Sequence, residues 1–121
     1  MTKVKRNLGK WGEEKAAEYL EKCGYSILAR NARTSYGEID IVASKGSLSV
    51  FVEVKTRRNR TFGYPEESVT ASKQEHMIHS AQAYLMAHPE MDGEWQIDVM
   101  SIEVQDGDAF KVVHFPNAIS G

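Results

Sequence analysis

Two neighbouring segments alternate like strands, Gly37-Glu38-Ile39-Asp40-Ile41-Val42 and Val50-Phe51-Val52-Glu53-Val54-Lys55, and each sets an acid into an otherwise apolar run. Side chains alternate across a strand, so Ile39, Ile41, Val50, Val52 and Val54 are expected to face a core while Asp40, Glu53 and Lys55 leave by the other faces. The polar Ser44-Lys45-Gly46-Ser47 between them suits a hairpin turn, which would make the two strands antiparallel partners. Upstream, Leu8, Gly12, Ala16, Tyr19, Leu20 and Cys23 recur at helical spacing and stop at Gly24, which predicts a helix. Tyr25 to Arg30 reads as a short strand, and Asn31 to Tyr36 has no period. Downstream, Thr56 to Pro65 holds Gly, Pro and clustered Arg, the composition of an ordered functional loop.

A long helix follows that loop. Thr70 or Ser72 can cap it, Ser72 and Glu75 having the spacing of a capping box, and Val69, Met77, Ala81, Tyr84 and Leu85 supply a buried stripe that ends before Pro89. Trp95 to Val104 is a fourth strand, Asp106-Gly107-Asp108 a turn, and Phe110 to Phe115 a candidate fifth strand. The order αβββαβ, with room for a further β, describes an α/β domain with a mixed central sheet of four to five strands flanked by helices.

Length and composition narrow the field. The 121 residues suit one domain over 1–121, with residues 1–7 a basic N-terminal segment that can stay disordered. Hydrophobic content of 41% and charged content of 26%, with no apolar run long enough to span a bilayer, point to a soluble protein without a membrane partner. The basic start leads into a mixed-charge helix and not into the apolar stretch of a secretory signal, so a cytoplasmic location is expected. A single cysteine, Cys23, excludes an internal disulfide and a thiolate metal cluster, and its place at the end of the helical stripe suggests a small core residue. The net charge of −2 conceals an asymmetry: residues 1–60 carry 13 Lys or Arg against 7 Asp or Glu, and residues 61–121 carry 2 against 10. A basic half that also holds the acids of interest fits one nucleic-acid-facing surface, and it equally fits two solvated faces of opposite sign.

If the two acid-bearing strands pair, Asp40 and Glu53 converge and Lys55 shares the face of Glu53. Two carboxylates and a backbone carbonyl, for which Val54 is the candidate, offer hard oxygens to a divalent cation that keeps some of its waters. Lys55 could then orient or help deprotonate a water, or stabilise charge growing on a phosphate. A solvated strand face is the ordinary alternative.

The same residues carry a resemblance. Asp40 followed by Glu53-Val54-Lys55 on the next strand matches the pattern of the PD-(D/E)XK nuclease superfamily, with Ile39 where the name has proline. Gly12-Glu13, Gly37 to Val42, Phe51 to Lys55, Phe62-Gly63 with Pro65, and Lys73 together resemble the YraN family of small bacterial proteins. The resemblance implies a restriction-endonuclease-like fold in which the acids at Asp40 and Glu53 bind Mg²⁺ or Mn²⁺ and Lys55 assists hydrolysis. Archaeal Holliday junction resolvases, which the chain also resembles, add a glutamate from the first helix. Glu13 suits that role better than Glu14, because it lies beside Ala17 and Leu20 at the border of the apolar stripe while Glu14 points away. Glu13 would bind a second metal or a water at the first, or it could simply stabilise the positive end of the helix dipole.

Other residues divide less sharply. Arg57, Arg58 and Arg60 would contact backbone phosphates or form a solvated loop, and Lys73 and Gln74 could reach a phosphate if the second helix begins at the site. His76 and His79 lie one turn apart but have no further ligand spaced to complete a zinc site. Asp98, in Ile97-Asp98-Val99, is expected to be structural and bonded to a neighbouring loop, while Trp11, Trp95 and Tyr19 are expected in the core. The reading that emerges is a metal-dependent endonuclease acting on DNA, with branched or recombining DNA as the expected substrate. The alternative is a non-catalytic nucleic-acid- or protein-binding module on the same scaffold. A homodimer is compatible with either, although no seam for one stands out.

Overall fold

Asn7 opens helix α1 (Leu8–Lys22): its Oδ1 accepts the Lys10 N–H at 3.1 Å and so satisfies one of the donors that a helix start leaves over. The helix closes on Gly24, whose φ of 92° lets the Tyr25 N–H reach back to the Leu20 carbonyl at 2.9 Å and the Gly24 N–H to that of Glu21 at 3.0 Å. Cys23 caps this turn and is exposed. It is therefore not the core residue that its spacing suggested, because the helix ends there and the buried stripe stops at Leu20.

The computed structural model describes residues 7–58, 69–107 and 109–120. After α1 come β1 (Ser26–Thr34), β2 (Gly37–Lys45) and β3 (Leu48–Arg57), then α2 (Ala71–Ala87), β4 (Trp95–Val104) and β5 (Phe110–Ile119). The five strands form one sheet in the order β1-β2-β3-β4-β5, with β3 and β4 parallel and the other neighbours antiparallel. This is a mixed α/β fold with the expected αβββαβ order, and β5 is the further strand. The basic segment 1–6 and the loop motif Phe62-Gly63 with Pro65 lie outside the described residues.

Both faces of the sheet are buried, and the residues expected to face one core are divided between them. Ile41, Ala43, Val50, Val52, Met100 and Ile102 pack against Ala16, Ala17 and Leu20 of α1. Ile39, Val42, Phe51, Ile97, Val99 and Ile119 pack against Val69 and Ala81 on the α2 side. Ile39 and Ile41 thus face opposite ways although they are two residues apart, so the strand alternation breaks at Asp40. On the facing stretch of β1, between the pairs Arg30↔Ile41 and Ala32↔Ile39, Asn31 takes a φ of 51°.

Trp11, Tyr19 and Trp95 pack against these two cores, as expected. The two outer strands are longer than their patterns indicate. β1 runs on to Thr34 and β5 to Ile119 because edge strands need little apolar content, and an edge tolerates Pro116 where an inner strand would lose a ladder bond. For α2 the cap is Thr70, whose Oγ1 accepts the Lys73 N–H at 3.2 Å, and not Ser72.

Gly12 sets how closely α1 lies on the sheet. A Cβ there would stand 1.8 Å from Thr56 Oγ1 and 2.9 Å from Thr56 Cβ, so only glycine lets the helix backbone rest on β3 at this point. Glu13 is consequently carried to the end of β3 that begins just after Val54.

Candidate functional site

The β2–β3 ladder runs from the turn at Lys45↔Leu48 to Ile41↔Val52. Beyond that pair β3 continues to Arg57, held by β4 through Arg57↔Glu103. In the gap the side chain of Asp40 takes over from the β2 backbone, its Oδ2 accepting the Val54 N–H at 2.8 Å. The N–H and C=O of one strand residue point to the same side, so the Val54 carbonyl also faces this opening, past the last β2–β3 pair. Glu53 and Lys55 alternate with Val52 and Val54 and emerge on the α2 face next to Phe51.

Three further carboxylates surround Asp40, namely Glu53, Glu13 and Glu38. Burial, followed by the charge of Glu53, pushes the Asp40 carboxyl up from 3.8 to about 7; the Val54 N–H works against this, and Glu13 and Glu38 add to it. Asn31 ties the outer two acids together, its Nδ2 donating to Glu13 Oε1 at 2.8 Å and to Glu38 Oε1 at 3.1 Å. Glu13 is half-buried and Glu14 exposed, in keeping with the helical-wheel choice between them.

On the α2 side two ammonium groups share one carboxylate oxygen. Lys55 Nζ lies 3.6 Å and Lys73 Nζ 3.5 Å from Glu53 Oε1. Burial, and then the neighbouring Lys73, hold Lys55 below the usual lysine range. Lys73 is pushed the other way, first by donating a hydrogen bond to Lys55 where that amine is neutral, and also by the Glu53 carboxylate. A lysine placed as Lys55 is gives up its proton more readily than one in water.

The donor set suits a hard divalent cation. Among the described residues no three His, Cys, Asp or Glu side chains gather closely enough to enclose an ion by themselves. Two carboxylates from Asp40 and Glu53 plus the Val54 carbonyl would leave the rest of the shell to water, which is how Mg²⁺ is commonly held. Two observations favour a cation here: like charges crowd a half-buried carboxyl, and two ammonium groups already stand in as counter-ions at Glu53. Ser101 pairs with Lys55 across the parallel ladder, and its Oγ is fully buried with no hydrogen-bond partner among the described residues.

The other expected site residues fall in different places. Gln74 does not turn toward the acids; its Nε2 donates to the Val69 carbonyl at 3.0 Å and tightens the entry to α2. Arg57 is half-buried at the end of β3, Arg58 is exposed beyond it, and Arg60 lies outside the described residues. His79 packs its ring against Tyr36, with centroids 5.2 Å apart. Asp98 is fully buried, and its partners lie on strands and not on a loop: His114 Nε2 at 2.6 Å, the Asn117 N–H at 2.8 Å and Gln96 Nε2 at 2.9 Å. It fills the irregularity where the β4–β5 register shifts between Ile97 and Val99. Sequence reasoning missed Asn31, Glu38, Ser101 and His114. Glu38 stands inside the motif that carried Asp40, and that adjacency was the available signal.

The family model described as "Uncharacterised protein family UPF0102" matches residues 12–102. A UPF0102 protein of Syntrophomonas wolfei is 50% identical over 115 residues, covering 95% of this chain and 99% of that one. One from Syntrophotalea carbinolica is 46% identical, covering 98% and 95%, and one from Chloroflexus aurantiacus is 41% identical, covering 99% and 96%. Among solved structures the chain is similar to "The structure of Pyrococcus Furiosus SfsA in complex with Ca2+", at 16% identity and a TM-score of 0.42, over 90% of this chain and 62% of that one. Among the described residues no helix is long and apolar enough to cross a membrane.

Proposed function

The chain belongs to the UPF0102 family, and on that premise we propose that it is a metal-dependent endonuclease that hydrolyses phosphodiester bonds in DNA. The observation that carries this reading is the opening of the β2–β3 ladder at Asp40, which sets one acid against the strand bearing Glu53, Val54 and Lys55. Asp40, Glu53 and the Val54 carbonyl provide the oxygens for Mg²⁺ or Mn²⁺. When bound, such an ion activates water and neutralises charge on the phosphate.

The chain's own groups complete the chemistry. As a neutral amine, which its partial burial favours, Lys55 orients the attacking water and takes up its proton; as an ammonium it instead donates to the phosphate oxygen on which charge grows. Glu13, fixed by Asn31, assists from α1. Arg57 and Arg58, with Arg60, hold backbone phosphates, a contact that gives affinity without sequence preference and weakens with salt. Branched or recombining DNA is the proposed substrate and the cytoplasm the proposed location.

Glu53→Gln and Lys55→Ala test the assignment. Each should abolish metal-dependent cleavage while the circular dichroism spectrum and melting temperature remain close to wild type. Cleavage at the wild-type rate by either variant would refute the role of the residue replaced. DNA binding that needs no metal, with no cleavage of any substrate, would favour a binding module on this scaffold.

A further inference from the structure

Lys73 stands in the first turn of α2, and its ammonium lies 3.5 Å from the same Glu53 oxygen that Lys55 approaches. The Glu53 side chain is 13% exposed and that of Lys73 41%, so the carboxylate is largely enclosed while the lysine stem lies along the surface. A Mg²⁺ ligand oxygen sits at about 2.0–2.1 Å from the ion, well inside the space that an ammonium at ion-pair distance occupies. Lys55 is fixed beside Glu53 by β3 itself. Lys73 belongs to another element and can extend into water at small cost.

We propose that Lys73 is the resting counter-ion of Glu53 and is exchanged for the divalent cation when that cation binds. The proposal rests on the reading of Asp40 and Glu53 as metal ligands. Lys73 keeps an enclosed carboxylate paired in the metal-free protein. Its release then presents an ammonium at the first turn of α2, where a phosphate can meet it. Because the exchange is one coupled equilibrium, the effect is reciprocal: Lys73 weakens cation binding, and the cation frees Lys73.

Both directions can be read without measuring activity. Mn²⁺ binding to the full chain, followed by electron paramagnetic resonance at constant ionic strength, should be about three- to fivefold tighter for Lys73→Gln than for wild type, the size of one partly exposed ion pair. Lys73→Arg, which keeps the charge, and Lys45→Gln, which removes a distant one at the β2–β3 turn, should bind as wild type does. In the wild-type protein, saturating Mg²⁺ should speed acylation of the Lys73 amine, followed by mass spectrometry, and leave Lys45 unchanged. Unaltered or weaker binding by Lys73→Gln, equal tightening by Lys45→Gln, or no gain in Lys73 labelling would each overturn the exchange. If wild type binds no divalent cation at all, the metal-ligand reading itself fails and the exchange fails with it.

Discussion

Asp40 should make the metal-free protein less stable at neutral pH than its own amide variant. Folding raises its carboxyl from 3.8 to about 7, chiefly by burial and then by the charge of Glu53. Below pH 3.8 the group is protonated whether the chain is folded or not, and it contributes nothing to the pH dependence. Between 3.8 and about 7 the unfolded chain gives up the proton that the folded chain retains, so stability falls as pH rises and the loss is complete above that window. A displacement of this size corresponds to about 4 kcal/mol if all of it arises in the folded state. Asp40 is only half-buried, so solvent screening reduces this to about 2 kcal/mol. Asp40→Asn keeps an oxygen to accept the Val54 N–H and loses the charge. In EDTA at pH 8 the variant should therefore melt about 6–8 °C above wild type, and the gap should close by about pH 4. Thermal unfolding followed by circular dichroism from about pH 4 to 8.5 reads this directly. A variant that melts below wild type at pH 8, or a gap that does not change with pH, would refute the reasoning.

Gly12→Ala should destabilise the chain by about 1–3 kcal/mol in urea, because the new methyl meets Thr56 at the α1–β3 contact, and Thr56→Ala in the same chain should recover part of that loss. Ser101→Ala should be neutral or slightly stabilising, since it removes a buried hydroxyl that has no partner among the described residues; a loss above about 1 kcal/mol would mean that the hydroxyl is satisfied in solution. Asp98→Ala should cost about 3–5 kcal/mol by urea denaturation, as it strips His114, Gln96 and the Asn117 N–H of their shared buried acceptor.

Much of this architecture was legible in the order of its patterns. Periodicity located both helices and the inner strands, and the Ser44–Ser47 turn set the antiparallel pairing of β2 and β3. Edges were harder: β1 and β5 meet solvent along much of their length, so polar residues there carry no period. The acids of Asp40 and Glu53 were visible because each interrupts an apolar run in a strand with little reason to hold a charge. What a pattern could not convey was that the alternation breaks at Asp40, opposite an Asn31 that takes a left-handed backbone on the neighbouring strand. The sharing of one Glu53 oxygen by Lys55 and Lys73 was equally hidden, because it depends on where α2 crosses the sheet.

The central claim is that Asp40 and Glu53 serve a metal-dependent cleavage of DNA. Its most direct test is to titrate Mg²⁺ and Mn²⁺ into the purified protein with single-stranded, duplex, flap and four-way-junction DNA, alongside Asp40→Asn. The account predicts cleavage that requires the metal, is strongest on one DNA shape, and is lost in a variant that remains folded. Cleavage that persists in Asp40→Asn, or no cleavage of any substrate with either metal, would contradict it.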